Sequence, residues 1–410
     1  MYQALEIFKQ KMIELSRYRW ILERCLSLLA IQEGNRIKPL TVKRQTTYHA
    51  GFMGSLECLG EEEHMAASCK VLLAGTLSKK LLAEVTEGVA KLKRAPLLVG
   101  FLSSTDPPAR VYAEWTAKTA RENGFSFELR EVPREDLEEK ILQANTNPNV
   151  DGIMVYYPIF GDRQDQYLQQ IVDAQKDVEG LSHKYIFNMY QNIRYLDSEN
   201  TKKSILPCTP LAIIKILEYL QIYNTILPEQ NRLHGRTITV INRSEVVGRP
   251  LAAILANDGA RVYSVDIKDV QEFSRGAGLR KRRHEAVEKV GWTMKDCLPI
   301  SDIVISGVPG EKFKVPLELL RDGAVCINFS SEKNFDIGVK EKASIYIPAI
   351  GKMTIVVLLR NLLRIVNNRV DEKAGELEGK TNTNGVPAGT EMQKETAKKI
   401  VKDIAPTTSS

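Results

Sequence analysis

The stretch TITVINRSEVVGRPLAAILANDGARVYSVD, residues 237–266, decides the fold. It opens with a β-branched apolar run. A polar turn follows, then a helical pattern with Pro250 near its first turn, closed by Gly259. A second apolar run then ends on Asp266. Strand, turn, helix and strand in this order make one βαβ unit, the repeating piece of a parallel sheet with helices on its faces.

The same alternation extends in both directions. Upstream, the pattern predicts strands over 97–102, 125–132 and 152–157, with helices over 108–123 and 134–144 between them. Downstream, strands are predicted over 302–306, 324–329 and 344–347, and a long helix over 354–367 follows the last. The reading is an α/β chain of two domains. An N-terminal α/β domain spans 69–222, and a Rossmann-like, doubly wound domain spans 223–350. The helix over 354–368 crosses back to complete the first domain. Residues 1–68 are an extension without a clear role, beginning with an amphipathic helical pattern over 2–29. Residues 371–410 have few large apolar side chains and read as a disordered tail with a transient helix over 391–404.

Composition narrows the class. The 410 residues are 43% hydrophobic and 26% charged, enough for two domains that each bury a core. The net charge of +6 is thinly spread, and the densest basic run, 280–284, is flanked by Glu285 and Glu288 and reads as a solvated face. Nucleic acid is therefore not an expected partner. The six cysteines form no CxxC pair and the five histidines no metal-ligand spacing, which fits a reducing compartment and no metal site. No apolar run approaches the roughly twenty residues of a membrane span, since even 20–31 is broken by Glu23 and Arg24. Acids at Glu6, Glu14 and Glu23 speak against a mitochondrial transit peptide, and Met65 offers an alternative start. A soluble, cytoplasmic protein without a membrane partner is expected.

The turn at 242–248 holds the first candidate site. It places backbone N–H groups at a helix N-terminus, a setting that attracts phosphate. Arg243 adds a charge, Ser244 a hydroxyl, and Gly248 room for close backbone approach. There is no GxGxxG, and Ser244 and Gly248 also fit plain cap and turn roles. Asp266 lies roughly twenty residues beyond Ser244 at a strand end, where a carboxylate accepts hydrogen bonds from the ribose diol of NAD and repels the extra phosphate of NADP. A solvated strand-end Asp is the other reading. Ile267 beside it, and Phe329, Ser330 and Ser331 at a later strand end, are further candidates for cofactor contact.

The run NRSEVVGRP at 242–250 resembles the cofactor loop of the methylenetetrahydrofolate dehydrogenase/cyclohydrolase family. Also similar to that family are YPIFGDRQDQYLQQ at 157–170 after GIMVY, KDVEGL at 176–181, ILPCTPLA at 205–212 and MTIVVLLRNLL at 353–363. Together these motifs cover about residues 69 to 367, and several are worded most like the family's fungal NAD-dependent branch, which lacks the cyclohydrolase step. The resemblance implies a folate-binding N-terminal domain facing a nucleotide domain across a cleft. It also implies hydride transfer from 5,10-methylenetetrahydrofolate to NAD, a homodimer built through the nucleotide domain, and a place in one-carbon metabolism that feeds purine synthesis.

Departures from the family pattern carry the rest. The family's cyclohydrolase step uses a Lys four residues after a Tyr on one helix face, and here the pair is Tyr112 and Thr116. Lys118 is about 200° round the helix from the site. Tyr156 stands where bifunctional relatives have a Gln, so cyclohydrolase activity is expected to be absent. The resemblance implies that Tyr112 stacks on the folate and that Asp177 and Glu179 bond the pterin, although relatives have Asp at the second position. Thr354, with Pro348 and Gly351, follows a shortened loop and is a further folate candidate. Cys208, ahead of an expected N-cap at Thr209, is either a thiol activated by a helix N-terminus or a packed structural residue.

Overall fold

The computed structural model describes residues 69–103, 107–276 and 283–381, so the expected helix over 2–29 and the transient helix over 391–404 lie outside the described residues. In chain order the elements are β1 (Lys70–Val71), α1 (Ala74–Leu77), α2 (Lys79–Ala90), β2 (Leu97–Leu102), α3 (Pro107–Glu122), β3 (Ser126–Glu131), α4 (Leu137–Thr146), β4 (Gly152–Val155), α5 (Arg163–Ile171), α6 (His183–Tyr190) and α7 (Cys208–Tyr219). They continue as β5 (Thr237–Ile241), α8 (Gly248–Asn257), β6 (Arg261–Val265), β7 (Val270–Ser274), β8 (Glu285–Glu288), α9 (Met294–Cys297), β9 (Ile303–Ser306), β10 (Val325–Asn328), α10 (Val339–Lys342), β11 (Ile345–Ile347) and α11 (Gly351–Thr381).

Two sheets result. A parallel three-stranded sheet runs β3-β2-β4, and an eight-stranded sheet runs β1-β11-β10-β9-β5-β6-β7-β8. The larger sheet is parallel from β1 to β6, while β7 and β8 add an antiparallel extension at one edge. Two features depart from the sequence reading. The β7–β8 extension was not expected. In addition, Lys70–Val71 pairs with β11, so the first described strand belongs to the second sheet and not to the domain read from residue 69.

Burial explains the parallel strands. Every residue of β4 and β9 is buried, as expected where helices cover both faces. Nine of the ten residues of α8 are buried as well, only Arg249 near its start being exposed, which suits a helix packed on almost every side. Gly259 with φ +99° turns the chain from α8 into β6, a left-handed C-terminal stop that a glycine adopts without steric cost.

The core runs through both parts of the molecule. Leu98 and Met154 of the first sheet share one apolar cluster with Ile238 and Ile303 of the second, joined by α7, α8 and α11. The last helix, expected over 354–367, begins at Gly351 and continues to Thr381, past the start of the segment read as a tail. It packs on α2 and α7. Near its middle Arg369 reaches Asp151, whose buried carboxylate also accepts two bonds from Arg94 at 2.6 and 2.9 Å. The basic run 280–284 is described only from Arg283. His284 is not solvated there, because its ring stacks on Phe273 at 5.5 Å and burial holds its pKa down at about 4. Among the described residues no helix is long and apolar enough to cross a membrane.

Candidate functional site

Two clusters form where the strands of each sheet end. At the first, the end of β4 delivers Tyr156 and Tyr157, α3 delivers Tyr112 and Thr116, the loop between α5 and α6 delivers Glu179, and α7 begins at Cys208. The rings of Tyr112 and Tyr156 meet edge to face, 6.1 Å apart at 82°. Burial raises the pKa of both phenols, and the nearby Glu179 carboxyl adds to the rise in each. The Thr116 hydroxyl works against the rise at Tyr156 and donates its own proton to the Tyr112 carbonyl at 2.8 Å. Tyr157 has a buried hydroxyl with no hydrogen-bond partner, as does Ser103 at the end of β2. Unmet buried polar atoms at strand ends are what a polar ligand would satisfy.

Glu179 is the electrostatic centre of this cluster. One carboxyl oxygen accepts the Val155 N–H at 2.9 Å, yet desolvation and the Asp177 charge push its pKa up to about 8. At neutral pH it therefore carries a proton and is able to donate a hydrogen bond.

Several expected contacts take other roles. Asp177 accepts the N–H groups of Gly180 and Ser182 at 2.8 and 2.7 Å and is 2% exposed, so its carboxylate orders its own loop. Thr354 is buried, and its hydroxyl bonds back to the carbonyl of Ile350 just ahead of α11. Cys208 is not activated. The helix starts at Cys208 with Pro207 as its cap, not at Thr209. The thiol donates to the Val178 carbonyl at 3.1 Å, and burial together with Glu179 and Asp177 pushes its pKa well up. A neutral packing role fits. Asn361 of α11 holds this junction, donating to the carbonyls of Val178 and Leu206 at 3.0 and 3.1 Å.

Sequence reasoning missed Asn361, Tyr157 and Asp165. Asp165 gathers the N–H groups of Ile159, Phe160 and Gly161, which shapes the loop after β4 around a cis Tyr157–Pro158 bond. Its place inside a Gly-Asp-Arg-Gln-Asp turn was the available signal. Lys118 stands where the helix geometry puts it, outside the cluster, over the exposed Trp115 ring at 5.7 Å.

The second cluster is built from the turn after β5. Asn242, at φ +88°, donates to the Gly307 carbonyl at 2.6 Å, and a Cβ on Gly248 would lie 1.8 Å from the Asn242 oxygen. Only glycine closes this turn. Ser244 accepts the N–H groups of Val247 and Gly248, both at 3.3 Å, so the amides expected to be free for phosphate already meet a capping hydroxyl. Arg243 does not point a spare charge at the turn. Its guanidinium bonds Ser264 and pairs with Asp269 at 2.7 Å, which in turn holds the Asp269 carboxylate below its ordinary pKa. Asp266 is exposed at the end of β6 and Ile267 is 97% exposed. Phe329 lies against Gly307, where any Cβ would strike its ring. Ser330 donates to the Val308 carbonyl at 3.0 Å, Ser331 is exposed, and Asn328 beneath them has a buried Oδ1 without a partner.

Comparison with known proteins agrees with this division. Residues 72–179 match the model of the tetrahydrofolate dehydrogenase/cyclohydrolase catalytic domain, and residues 207–279 that of the family's NAD(P)-binding domain. The chain is 58% identical over 306 residues to the methylenetetrahydrofolate dehydrogenase [NAD(+)] of Schizosaccharomyces pombe, covering 74% of this chain and 95% of that one. It is 54% identical over 314 residues to the Saccharomyces cerevisiae protein of the same name, covering 74% and 98%. The solved structure of the S. cerevisiae NAD-dependent 5,10-methylenetetrahydrofolate dehydrogenase superposes with a TM-score of 0.72 at 53% identity, over 75% of this chain and 99% of that one.

Proposed function

The chain belongs to the tetrahydrofolate dehydrogenase/cyclohydrolase family, and on that premise we propose that it oxidises 5,10-methylenetetrahydrofolate to 5,10-methenyltetrahydrofolate with NAD and does not hydrolyse the product. The observation that carries this reading is the composition of the first cluster. It offers aromatic faces, an unpartnered phenol and a protonated carboxyl, but, among the described residues, no amine. Thr116 fills the position a cyclohydrolase lysine would take and is fully buried.

In this reading Tyr112 stacks on the folate ring system and Tyr156 buttresses it edge-on. Glu179 donates to a ring nitrogen or carbonyl, and the Tyr157 hydroxyl gains the partner it lacks. Bound NAD supplies the hydride acceptor. Holding two flat ring systems in contact while excluding water is an orientation task, and it needs no general base. The residues present fit the cofactor. Asp266 bonds the ribose diol, Ile267 covers the adenine, Gly248 lets the backbone approach the pyrophosphate, and Phe329, Ser330 and Ser331 line the nicotinamide side with the Asn328 oxygen free to accept. Residues 69–222 with 354–368 hold folate and 223–350 hold NAD, except that β1 adds to the second sheet. We further propose a cytoplasmic homodimer joined at the edge strand β8, whose four residues are all exposed. A monomeric mass by light scattering would remove that assignment.

The test is the initial rate of NAD and of NADP reduction with 5,10-methylenetetrahydrofolate, followed in the same cuvette by decay of the methenyl product. NAD reduction with decay at the buffer rate is expected. Enzyme-accelerated decay would sink the argument from Thr116, and a preference for NADP would sink the one from Asp266.

A further inference from the structure

At the carboxyl ends of α7 and α8, far along both helices from the two clusters, lies a cavity of about 160 Å³ closed by α6, the segment 192–206, and α11. Six cationic side chains line it, Arg194, Lys203, Lys215, Arg232, Arg360 and Arg364, against the three carboxylates Glu218, Glu229 and Asp258. Two of the cations are answered, Arg194 by Asp258 at 2.5 Å and Lys215 by Glu218 at 2.6 Å. Among the described residues Arg232, Arg360 and Arg364 make no ion pair, and the Arg232 Nε is buried without a hydrogen-bond partner.

Arg360 and Arg364 stand one turn apart on the same face of α11, where like charges repel. Burial and the Arg360 charge pull the Arg364 pKa down to about 10. A half-buried guanidinium pair without a counter-charge is costly unless an anion completes it. Leu211, Ile214 and Ile254 add an apolar part to the lining.

We propose that this cavity is a second ligand site for a small organic phosphate, with the phosphoryl group on Arg360, Arg364 and Arg232 and its carbon body against Leu211, Ile214 and Ile254. Guanidinium forks match phosphate oxygens two at a time, which favours phosphate over a point-like anion. The apolar part of the lining favours an ester over the free ion. The site also has a route to the first cluster, because Asn361 lies between the two arginines on α11 and holds the Val178 and Leu206 carbonyls and, at 3.5 Å, the Cys208 sulfur.

The test is calorimetric titration of the full chain with phenyl phosphate, phenol and inorganic phosphate at constant ionic strength, with and without NAD. Phenyl phosphate is expected to bind more tightly than inorganic phosphate, and phenol not at all. Arg364→Gln and Lys203→Gln should each be measured by melting as well as binding. Arg364→Gln is expected to weaken phenyl phosphate roughly ten- to a hundredfold, the loss of a charge-assisted pair. Phenyl phosphate should also raise the melting temperature of the parent chain and not of Arg360→Gln. Equal affinity for the ester and the free ion, no binding of either, or binding unchanged in Arg364→Gln would each overturn the proposal. Because no turnover is measured, these outcomes are independent of the hydride-transfer reading.

Discussion

The two strand-end clusters are built on opposite electrostatic plans. Around Glu179 every titratable group is pushed toward its neutral form, since burial raises Tyr112, Tyr156, Tyr157, Cys208 and Glu179 together. Around Arg243 the charges are kept and paired, with Asp269 held ionised by the guanidinium and Asp266 left in water. A dry, uncharged cluster suits a flat heterocycle that must shed its own water. A charged turn with exposed side chains suits a ribose and phosphates that keep theirs. The first cluster ties recognition to stability, whereas the second separates them, because its exposed residues carry little of the fold.

The sharpest way to break that separation is at Gly248, the one position of the second cluster fixed by backbone contact. Gly248→Ala would drive a methyl to 1.8 Å from the Asn242 oxygen, and backbone has nowhere to go cheaply. The expected outcome is a loss of stability on the order of 3 kcal/mol and NAD binding too weak to measure, read by melting and calorimetry. A variant that melts and binds like the parent would mean that the turn is looser than its contacts imply.

The first cluster is tested by Glu179→Gln. Its folded pKa near 8 lies above the ordinary 4.5, so the folded chain holds a proton that the unfolded chain releases. That contribution is fully present below about pH 4.5 and is lost as pH rises through about 8. The parent should thus lose stability steadily between about pH 4.5 and 8 and level off above, and lose folate affinity as pH passes about 8, measured by urea unfolding and substrate titration. Gln, which does not ionise but still donates from Nε2 and accepts on Oε1, should flatten both profiles and leave KM for folate at neutral pH within roughly threefold of the parent. An unchanged pH profile in the variant would clear Glu179 of the role.

How legible these clusters were depends on what each one is made of. The parallel strands were readable because they are short apolar runs bounded by turn residues, and β2 and β5 fall close to their expected limits. Lys70–Val71 escaped because two residues carry no periodicity, and the pairing with β11 joins distant parts of the chain. The exposed charges of β8 hid an edge strand for a related reason, having no apolar face to mark it. At the sites, backbone demands such as Gly248 and helix angles such as that of Lys118 could be reasoned from spacing. Partner choice could not. Arg243 reads as a phosphate ligand until Ser264 and Asp269 are seen to take its donors, and Asp177 as a pterin contact until its loop amides are seen to fill it.

The smallest effect, and the cleanest test of the comparison, belongs to Asp266. Among the described residues its carboxylate meets only the Ile267 N–H, at 2.8 Å, and it is exposed, so Asp266→Ala should leave the melting temperature within error. It should still change the choice of cofactor. Removing the acceptor weakens the ribose contact of NAD, and removing the charge lifts the repulsion of a 2′-phosphate, so the ratio of kcat/KM for NAD over NADP should fall about ten- to a hundredfold. Arg243 would not by itself turn that fall into a preference for NADP, because Asp269 already occupies its guanidinium. The double variant Asp266→Ala with Asp269→Asn removes the counter-charge from that guanidinium, which Ser264 still orients, and should carry the ratio further toward NADP than the two single changes summed. If the double variant is merely additive, the Arg243–Asp269 pair stands apart from cofactor choice, and discrimination rests on the exposed strand end alone.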